Sequence, residues 1–526
     1  MHYLFLALVV LLGAGLRLIN IQAEPYWGDE VLSLDIATYV HPIGQLLDYI
    51  RAVEFHPPLY YIILQTWTHW FGTEPGAVRS LSLIFGVGVV LLGYAFVYEL
   101  WRDRKAALIA ALILAVLPIQ IEYSHSARPY AIMEFLGLVA AYALWRYLRT
   151  RSWKFLTLYI IAGIFGLYIH YSFIFILAAL GLWWGIELFI FGEKNSRPYA
   201  VTVWLGAHAL VLVGFWYWLD AFFYKIILGQ FEIAGLARNI DSLRPLVFFE
   251  TAINQLLWVT KQETISSTPI FVAMIWKIVA IVFLALGAIS TRLRLGSLKM
   301  RGGLFLLWLT LFPVTVFFFA PHSVYYTDII WQHVIFSSIP LIALVTGLIV
   351  VLPWRRGVVL LLLFLISLVP FISNIVGNDA DWHYQYQLQA MGEQVNQQFQ
   401  PGDLVVVTYA FLRTDMTHFI RDEVPVAELK PIQYDATYDL WSTRHTLGFI
   451  ANEYQSRVYS PTSGEVNEKL SRLIAEYHAK RVWLIGFSGK DQKVHGWFSA
   501  RGWRPIFSSI GEVYLLDLYA RDASTK

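Results

Sequence analysis

Long hydrophobic runs separated by short polar loops fill the first 376 residues of the chain. Most of the runs contain roughly 17–25 residues, the length with which an α-helix crosses about 30 Å of hydrocarbon. The pattern therefore predicts a polytopic α-helical membrane protein with about eleven spanning helices. The predicted spans are 3–22, 80–100, 106–122, 130–148, 155–170, 172–191, 200–219, 269–289, 303–320, 329–351 and 357–376.

Basic residues lie in every second loop of this pattern. They follow the second, fourth, sixth, eighth and tenth helices: Arg102, Arg104, Lys105, Arg146, Arg149, Arg151, Lys154, Lys194, Arg197, Arg292, Arg294, Lys299, Arg301, Arg355 and Arg356. The positive-inside rule places these loops in the cytoplasm. We therefore predict a multi-pass protein of the cytoplasmic (inner) membrane, with a cytoplasmic N-terminus and an external, periplasmic C-terminus.

An apolar segment from His56 to Phe71 is short, contains Gln65 and His69, and is rich in tyrosine and tryptophan. Counting it as a span would put every later basic loop outside, so we predict an interfacial helix on the outer surface. The first external loop is then long, about residues 23–78. Arg17 lies near the outer end of the first helix, where we expect its side chain to snorkel to the headgroups.

The composition changes after Asn378, where the sequence becomes polar and mixed. Strands are predicted at 403–410, 481–488 and 513–520, and a helix at 467–480. We therefore divide the chain into a transmembrane domain, 1–376, and an external α/β domain, 377–526.

Composition supports the membrane assignment and removes some kinds of chemistry. The chain is 57% hydrophobic and only 14% charged, and it contains no cysteine. Disulfides, iron–sulfur clusters and thiol catalysis are thereby excluded. The net charge of +2 says little about partners, because basic residues are concentrated in the loops on one side of the membrane. We expect no nucleic-acid partner.

Ionisable side chains at the outer face are the candidates for chemistry, since such groups are costly near a bilayer. Asp29 and Glu30 come just after the first helix, beside Tyr26 and Trp27. The other external candidates are Glu54, His56, Tyr60, Arg79, Tyr123, His125, Arg128, Tyr130, His170, Tyr171, His322, Tyr325, Tyr326, Asp328 and His333.

Each of these assignments has a structural alternative. Asp29 and Glu30 suit a hydrated loop or a helix N-cap, and Arg128 suits a headgroup anchor as well as a phosphate clamp. His56 can cap the interfacial helix instead of binding a phosphate or a metal, and His170 can simply end a helix.

The external position also limits the substrates, because nucleotide sugars and ATP are not ordinarily available there. The chain has no Walker loop, and the histidines lack HExxH spacing. The sequence Asp379-Ala380-Asp381 matches the DxD pattern of nucleotide-sugar enzymes, but it lies on the external side and is better interpreted as a solvated linker.

Five motifs, taken in order, resemble a known family. They are WGDE at 27–30, HPPLYY at 56–61, GTEPGAVRS at 72–80, SARPY at 126–130 and HY at 170–171. They are similar to motifs of membrane glycosyltransferases with the GT-C fold, of the protein O-mannosyltransferase and aminoarabinose-transferase type (glycosyltransferase family 39 and relatives). The resemblance covers residues 1–376.

The resemblance implies a polyprenyl-phosphate sugar donor, and a lipid, glycan or protein acceptor whose hydroxyl attacks the anomeric carbon with inversion. A carboxylate must take the hydroxyl proton, and cations must stabilise the leaving phosphate. The family's base maps onto Asp29, with Glu30 orienting it or the sugar. The donor phosphate is assigned to His56, Arg128, Tyr130 and His333, and Glu54, Tyr60, Arg79, Tyr123, His170 and Tyr171 are further site candidates.

One position departs from the family pattern. Many relatives carry an Arg-Tyr pair seven residues before a proline in a late helix, whereas this chain has His333 before Pro340. The sequence identifies no cofactor with certainty, and a divalent metal ion is compatible with the site. The competing hypotheses are a non-enzymatic transporter or lipid-handling protein, and a scaffold that has lost catalysis. Clean helix centres and the absence of an inverted repeat argue against the transporter, and retention of Asp29 and Glu30 argues against the scaffold.

Overall fold

The computed structural model describes most of the chain in separate stretches. The described residues are 2–24, 26, 28–39, 42–52, 54, 56–192, 195, 197–223, 297–319, 334–377, 384–408, 416, 419–428, 463–487, 492–510 and 514–521. By their contacts the residues form two compact units. The first contains Met1–Glu24 and Ile36–Asn378, and the second contains Pro25–Asp35 and Asp379–Lys526.

The first unit is helical. Its first helices are α1 (His2–Leu18), α2 (Gly28–Tyr39, which begins in the second unit), α3 (Ile43–Ala52), α4 (Leu59–Phe71), α5 (Pro75–Trp101), α6 (Arg104–Val116), α7 (Pro118–Glu122) and α8 (Tyr130–Thr150). Its later helices are α9 (Trp153–Ile169), α10 (Phe173–Ile186, continued by a π-helical turn Glu187–Phe191), α11 (Arg197–Phe215), α12 (Leu219–Phe223), α13 (Ser297–Phe319), α14 (Ser338–Val351) and α15 (Trp354–Gly377).

These helices agree with the predicted membrane architecture. Among the described residues, four helical stretches are long and apolar enough to cross a bilayer: Pro75–Trp101, Tyr130–Thr150, Phe173–Phe191 and Arg197–Phe223. The predicted span 269–289 and the first part of the span 329–351 lie outside the described residues. The total number of spans therefore stays a prediction.

One predicted span of the first unit is divided in the structure, and the predicted interfacial segment forms a short helix. The span 106–122 is divided into α6 and α7, because Leu117 is extended and Pro118 cannot continue the hydrogen-bond ladder of α6. The segment predicted to be interfacial forms α4, whose 13 residues extend about 20 Å. That length is too short for a span of the hydrocarbon core.

Helix ends around α5 and α6 follow from local sequence. Pro75 stands in the first turn of α5, where its missing N–H costs nothing. Arg102 ends this helix in the left-handed conformation with φ of 53°. Asp103 then caps α6, since its Oδ1 accepts the backbone N–H groups of Lys105 and Ala106 at 2.7 and 3.0 Å.

The expectation that Arg17 snorkels to the headgroups is wrong. Its side chain is fully buried and donates to the backbone carbonyls of Gly13, Leu114 and Ala115. A guanidinium carries five N–H donors, and bonding them inside the protein removes the need to reach water.

The second unit contains a five-stranded sheet with helices. The strands are β1 (Asp403–Val407), β2 (Val426–Glu428), β3 (Arg481–Phe487), β4 (Trp503–Ile510) and β5 (Tyr514–Arg521), in the order β2-β1-β3-β5-β4. The β1 strand pairs in parallel with β2 and β3, whereas β5 pairs antiparallel with β3 and β4. The helices are α16 (Tyr384–Gln398), α17 (Ser463–Glu476) and α18 (Gln492–Ala500).

This sheet confirms the predicted small C-terminal sheet domain. Apolar clusters cover both faces of it, one including Leu388 and Trp483, the other including Leu470 and Phe498. Asp403, at the start of β1, is buried and receives two bonds of 2.6 Å from Arg481 and one of 3.0 Å from Trp483 Nε1. The charge pair and the indole bond join the first two predicted strands at their beginnings.

Candidate functional site

A carboxylate, an imidazole and a guanidinium lie side by side at the N-terminal approach to α4. Glu54 Oε1 accepts the Nδ1–H of His56 at 2.6 Å and the backbone N–H of the same residue at 3.1 Å. Arg128 Nη2 lies 3.5 Å from each ring nitrogen of His56. Glu54 and Arg128 are buried, at 4% and 2% exposure. The structure thus brings three predicted site residues together from two distant parts of the chain.

Aromatic rings continue this group. The ring of His56 lies 5.0 Å from that of His170, and His170 lies 5.4 Å from Tyr130. Tyr123 follows at 5.4 Å from Tyr130. The backbone N–H of Ser172 donates to His170 Nδ1 at 3.0 Å, so in a neutral imidazole the proton is on Nε2. We call Glu54, His56, Arg128, Tyr130 and His170 the outer cluster.

Tyr60 and Tyr61 begin α4 and are both fully buried, with ring centroids 5.5 Å apart. Burial raises the pKa of Tyr61 well above its ordinary value, and the charge of Glu54 raises it further, while Arg128 opposes the shift. Tyr61 therefore stays a protonated phenol at physiological pH. Tyr61 belongs to the HPPLYY motif, but only Tyr60 is among the predicted site residues. No pattern in the sequence shows that two adjacent tyrosines are both buried.

Side chains of α5 bond the backbone of two other segments, one between α7 and α8 and one just after α1. Ser82 Oγ donates to the carbonyl of Ser126 at 2.6 Å and lies 3.4 Å from that of Arg128. Arg79 Nη1 donates to the carbonyls of Ile21 and Glu24 at 3.1 and 2.9 Å. Arg79 therefore fixes the main chain just before the predicted base.

Tyr171 points to a different neighbour from His170. Its hydroxyl accepts the indole N–H of Trp218 at 2.9 Å, and its ring packs 5.3 Å from Phe222. Burial raises the pKa of this phenol too. On the same side Arg51 pairs with Asp220 at 3.2 Å and stacks on Tyr217 and Trp218. Tyr171 thus joins α12 to the end of α9, a structural contact that the sequence does not reveal.

Asp29 and Glu30 lie in the first turn of α2, where a carboxylate is favourable for the helix dipole. Asp29 is half-buried and Glu30 fully buried, and the Ser33 hydroxyl donates to the carbonyl of Asp29 at 2.8 Å. The hydrated-loop alternative is therefore excluded for Glu30, and the catalytic roles of the pair stay predictions. His322, Tyr325, Tyr326, Asp328 and His333 lie outside the described residues, as do Asp379 and Asp381.

The outer cluster combines a carboxylate, an imidazole and a guanidinium. The imidazole of His56 contacts both the Glu54 carboxylate and the permanent guanidinium of Arg128. Protonation of His56 therefore leaves one net positive charge in this group. Because these side chains are little exposed, water screens their charges weakly, and the electrostatic interactions between them and a ligand are stronger. Across the part of the chain that the structure describes, no group of three His, Cys, Asp or Glu side chains is arranged to hold a metal ion.

A separate cleft of about 670 Å³ opens between the end of α1 and the start of α5. It is lined by Leu18, Asn20, Ile21, Gln22, Ala23, Glu74 and Pro75. This lining includes none of the predicted site residues.

Comparison with known proteins gives a family match over part of the chain and a fold. Residues 44–228, which contain the outer cluster, match the family described as dolichyl-phosphate-mannose-protein mannosyltransferase. No curated protein matches the chain by sequence. Among solved structures, ArnT from Cupriavidus metallidurans in the apo state is similar with a TM-score of 0.59 and 12% identity, covering 99% of this chain and 98% of that one. ArnT from the same organism bound to undecaprenyl phosphate gives a TM-score of 0.43 and 11% identity, with coverage of 99% and 98%.

The apo ArnT match shows that the chain has the ArnT-like GT-C fold, with a small sheet domain at its C-terminus, as the sequence predicted. The family match covers residues 44–78 of the predicted first external loop and the loop that carries Arg128, but it does not include Asp29 and Glu30. Together these findings confirm the predicted resemblance to GT-C membrane glycosyltransferases and the assignment of the chain to that enzyme class.

Proposed function

We propose that the chain transfers a sugar from a polyprenyl-phosphate donor to an acceptor hydroxyl, with inversion, on the external face of the cytoplasmic membrane. The family matched by residues 44–228 is described by a dolichyl-phosphate donor, and dolichol is a polyprenyl lipid. The observation that carries the proposal is the outer cluster, because that same segment holds a buried Arg128 against His56 and Glu54.

The charge of the outer cluster suits the phosphate of such a donor. A polyprenyl-phosphate sugar is a phosphodiester with one negative charge, which balances the single net positive charge of the cluster when His56 is protonated. As the glycosidic bond breaks, the leaving phosphate gains a second negative charge. Arg128 stabilises that charge without reorganisation because its position is already fixed. Glu54 keeps the Nδ1 proton of His56 in place and thereby directs Nε2.

Asp29 is the base in this proposal. Its carboxylate takes the proton of the acceptor hydroxyl as the oxygen attacks the anomeric carbon, and the bond from that carbon to the phosphate oxygen breaks. Glu30 orients Asp29 or the sugar. The assignment is supported by the WGDE motif, by the half-buried position of Asp29, and by Arg79, which fixes the preceding main chain.

The external location is inferred from the alternation of basic loops. The structure adds an ion network at one end of the bundle that is consistent with this inference. Glu99 is buried and pairs with Arg146 at 2.8 Å and with Arg102 at 2.5 Å. These arginines belong to the predicted cytoplasmic loops, whereas Arg128 and His56 belong to predicted external ones.

Two measurements test the proposed function. The purified full-length protein is titrated with farnesyl phosphate and, as the control, with farnesol, which has the same chain without the phosphate. Glycolipids, cell-wall glycans and glycoproteins are then compared by mass spectrometry in cells with and without the protein. We expect binding of farnesyl phosphate only, and loss of one glycosylated species. Equal binding of farnesol together with unchanged glycans would exclude the proposal.

A further inference from the structure

The break between α6 and α7 leaves backbone carbonyls without their helical donors. Pro118 has no N–H, so the Leu114 carbonyl, four residues earlier, loses its usual partner. Leu117 is extended, with ψ of 122°, and ends the ladder of α6 next to Ala115. Unsatisfied carbonyls are costly in a membrane protein because the hydrocarbon offers no donor.

Arg17 of α1 supplies the missing donors. Its Nη2 donates to Leu114 O at 3.1 Å and its Nη1 to Ala115 O at 2.9 Å. This guanidinium is fully buried, and Glu134 of α8 is buried as well. Gln120 of α7 donates to the same Glu134 carboxylate. The cost of burying the guanidinium is offset by its hydrogen bonds to these carbonyls and to Ser124.

The same arginine also holds the loop that follows α7. Its Nε donates to Ser124 Oγ at 3.0 Å, and that hydroxyl donates to Gln120 O at 2.6 Å. The carbonyl of Arg17 accepts the Nε2–H of His125 at 2.8 Å. Side chain and main chain of one residue therefore fix two successive positions of the loop.

That loop ends in Arg128 of the outer cluster. Ser82 holds the carbonyl of Ser126, so Arg17 fixes the first half of the loop and Ser82 the second. Ala127, between them, is only 1% exposed. Arg128 has a long flexible side chain, and the position of its guanidinium depends on where its main chain is fixed.

We propose that Arg17 is a positioning residue for Arg128: by bonding the carbonyls freed at Pro118 and the side chain of Ser124, it sets the place of the donor-phosphate arginine. The inference rests on the proposed function for its phosphate ligand. Arg17 itself contacts no substrate in this assignment. It acts through the loop 123–128.

Gly86 of α5 provides a way to disturb this contact while keeping Arg17. A Cβ at Gly86 would lie 2.1 Å from Ser124 Oγ and 3.1 Å from Arg17 Nε, too close for either atom to stay. Gly86→Ala therefore displaces the Ser124 hydroxyl, while every charge is retained. Gly15 of α1 has open space around its Cβ position, so Gly15→Ala is the matched glycine control.

The experiment uses full-length protein carrying Ala127→Cys, the chain's single thiol. We compare Arg17→Lys, Gly86→Ala and Gly15→Ala. Lysine keeps the charge but cannot bond Leu114, Ala115 and Ser124 together. The rate of thiol labelling reports release of the loop, and titration with farnesyl phosphate reports the anion site. Size-exclusion chromatography selects the folded fraction before both measurements.

We expect labelling about tenfold faster in Arg17→Lys and Gly86→Ala. We also expect a farnesyl phosphate Kd weaker by about tenfold, with Gly15→Ala unchanged. Unchanged labelling would overturn the inference whatever the ligand does. Faster labelling with an unchanged Kd would show that Arg17 stabilises the loop without affecting the anion site, and this result would also overturn the inference. If farnesyl phosphate did not bind the parent protein, the proposed function would fail first, and this inference with it.

Discussion

Replacement of Arg128 by lysine is the sharpest perturbation of the proposed donor site. The substitution keeps one positive charge but exchanges a planar fork of donors for a single ammonium. Arg128 is 2% exposed and its Nη2 lies 3.5 Å from both nitrogens of His56. The guanidinium plane is therefore held against the imidazole, and a flexible ammonium would not be.

The magnitude follows from the loss of one charge-assisted hydrogen bond to the phosphate. Such a bond contributes about 1.5–3 kcal/mol in a buried setting. Since about 1.4 kcal/mol corresponds to a factor of ten, donor affinity should fall by about ten- to a hundredfold. The acceptor's apparent affinity should barely change, because a lysine at this position still leaves the carboxylates of α2 in place.

The assay measures kcat and KM separately for a short-chain prenyl-phosphate sugar and for the acceptor. Arg102→Lys is the matched control, because Arg102 is half-exposed, pairs with Glu99, and belongs to a predicted cytoplasmic loop. Unchanged donor constants in Arg128→Lys, or damage confined to the acceptor, would refute the reasoning. Arg128 would then be a headgroup anchor or an acceptor residue.

Three further outcomes are expected. Asp29→Asn keeps size but removes basicity, so turnover should fall by about a hundredfold or more; near-normal turnover of the inserted protein would exclude Asp29 as the base. An impermeant thiol reagent applied to intact cells should label Lys480→Cys and not Arg104→Cys, and the reverse pattern would invert the topology. Asp403→Asn removes the charge partner of a largely buried arginine and should destabilise the C-terminal sheet by about 3–5 kcal/mol, measured as proteolysis of that unit in urea; resistance equal to wild type would contradict this.

The fold was predictable where one physical effect dominates. Span length predicted the helical part, since it depends on the thickness of the bilayer. The break at Pro118 was visible in the sequence, but the uninterrupted apolar run around it outweighed the proline. In the sheet, β4 was missed because Pro505 and two serines disguise it, and it lies at the edge of the sheet, where proline is tolerated. The predicted helix 467–480 ends at Glu476 instead, because His478 adopts a φ of 49°.

The proximity of some candidate residues was predictable, whereas their individual contacts were not, and their roles stay predictions. A shared outer face groups His56, Arg128 and His170, and the structure brings these three together. The sequence does not show that the Tyr171 hydroxyl accepts a hydrogen bond from Trp218. Nor does it show that the neighbouring His170 lies against His56. The burial of Arg17 was missed because snorkelling is the usual solution for a cation near a helix end. Its main partners are backbone carbonyls. Every residue has a carbonyl, so no sequence pattern identifies the ones that Arg17 bonds.

The shortness of α6 has a consequence for how this protein tolerates change. The 13 residues of α6 pack against α1, α5 and α14, and five alanines on it are fully buried: Ala106, Ala107, Ala110, Ala111 and Ala115. A helix surrounded by other helices does not have to match the bilayer in length, so a broken segment is acceptable there. Tolerance to bulky apolar substitutions should therefore differ between these helices and the lipid-exposed ones. Bulky apolar substitutions should be harmless on the lipid-exposed side of α11 and lethal on the alanine face of α6.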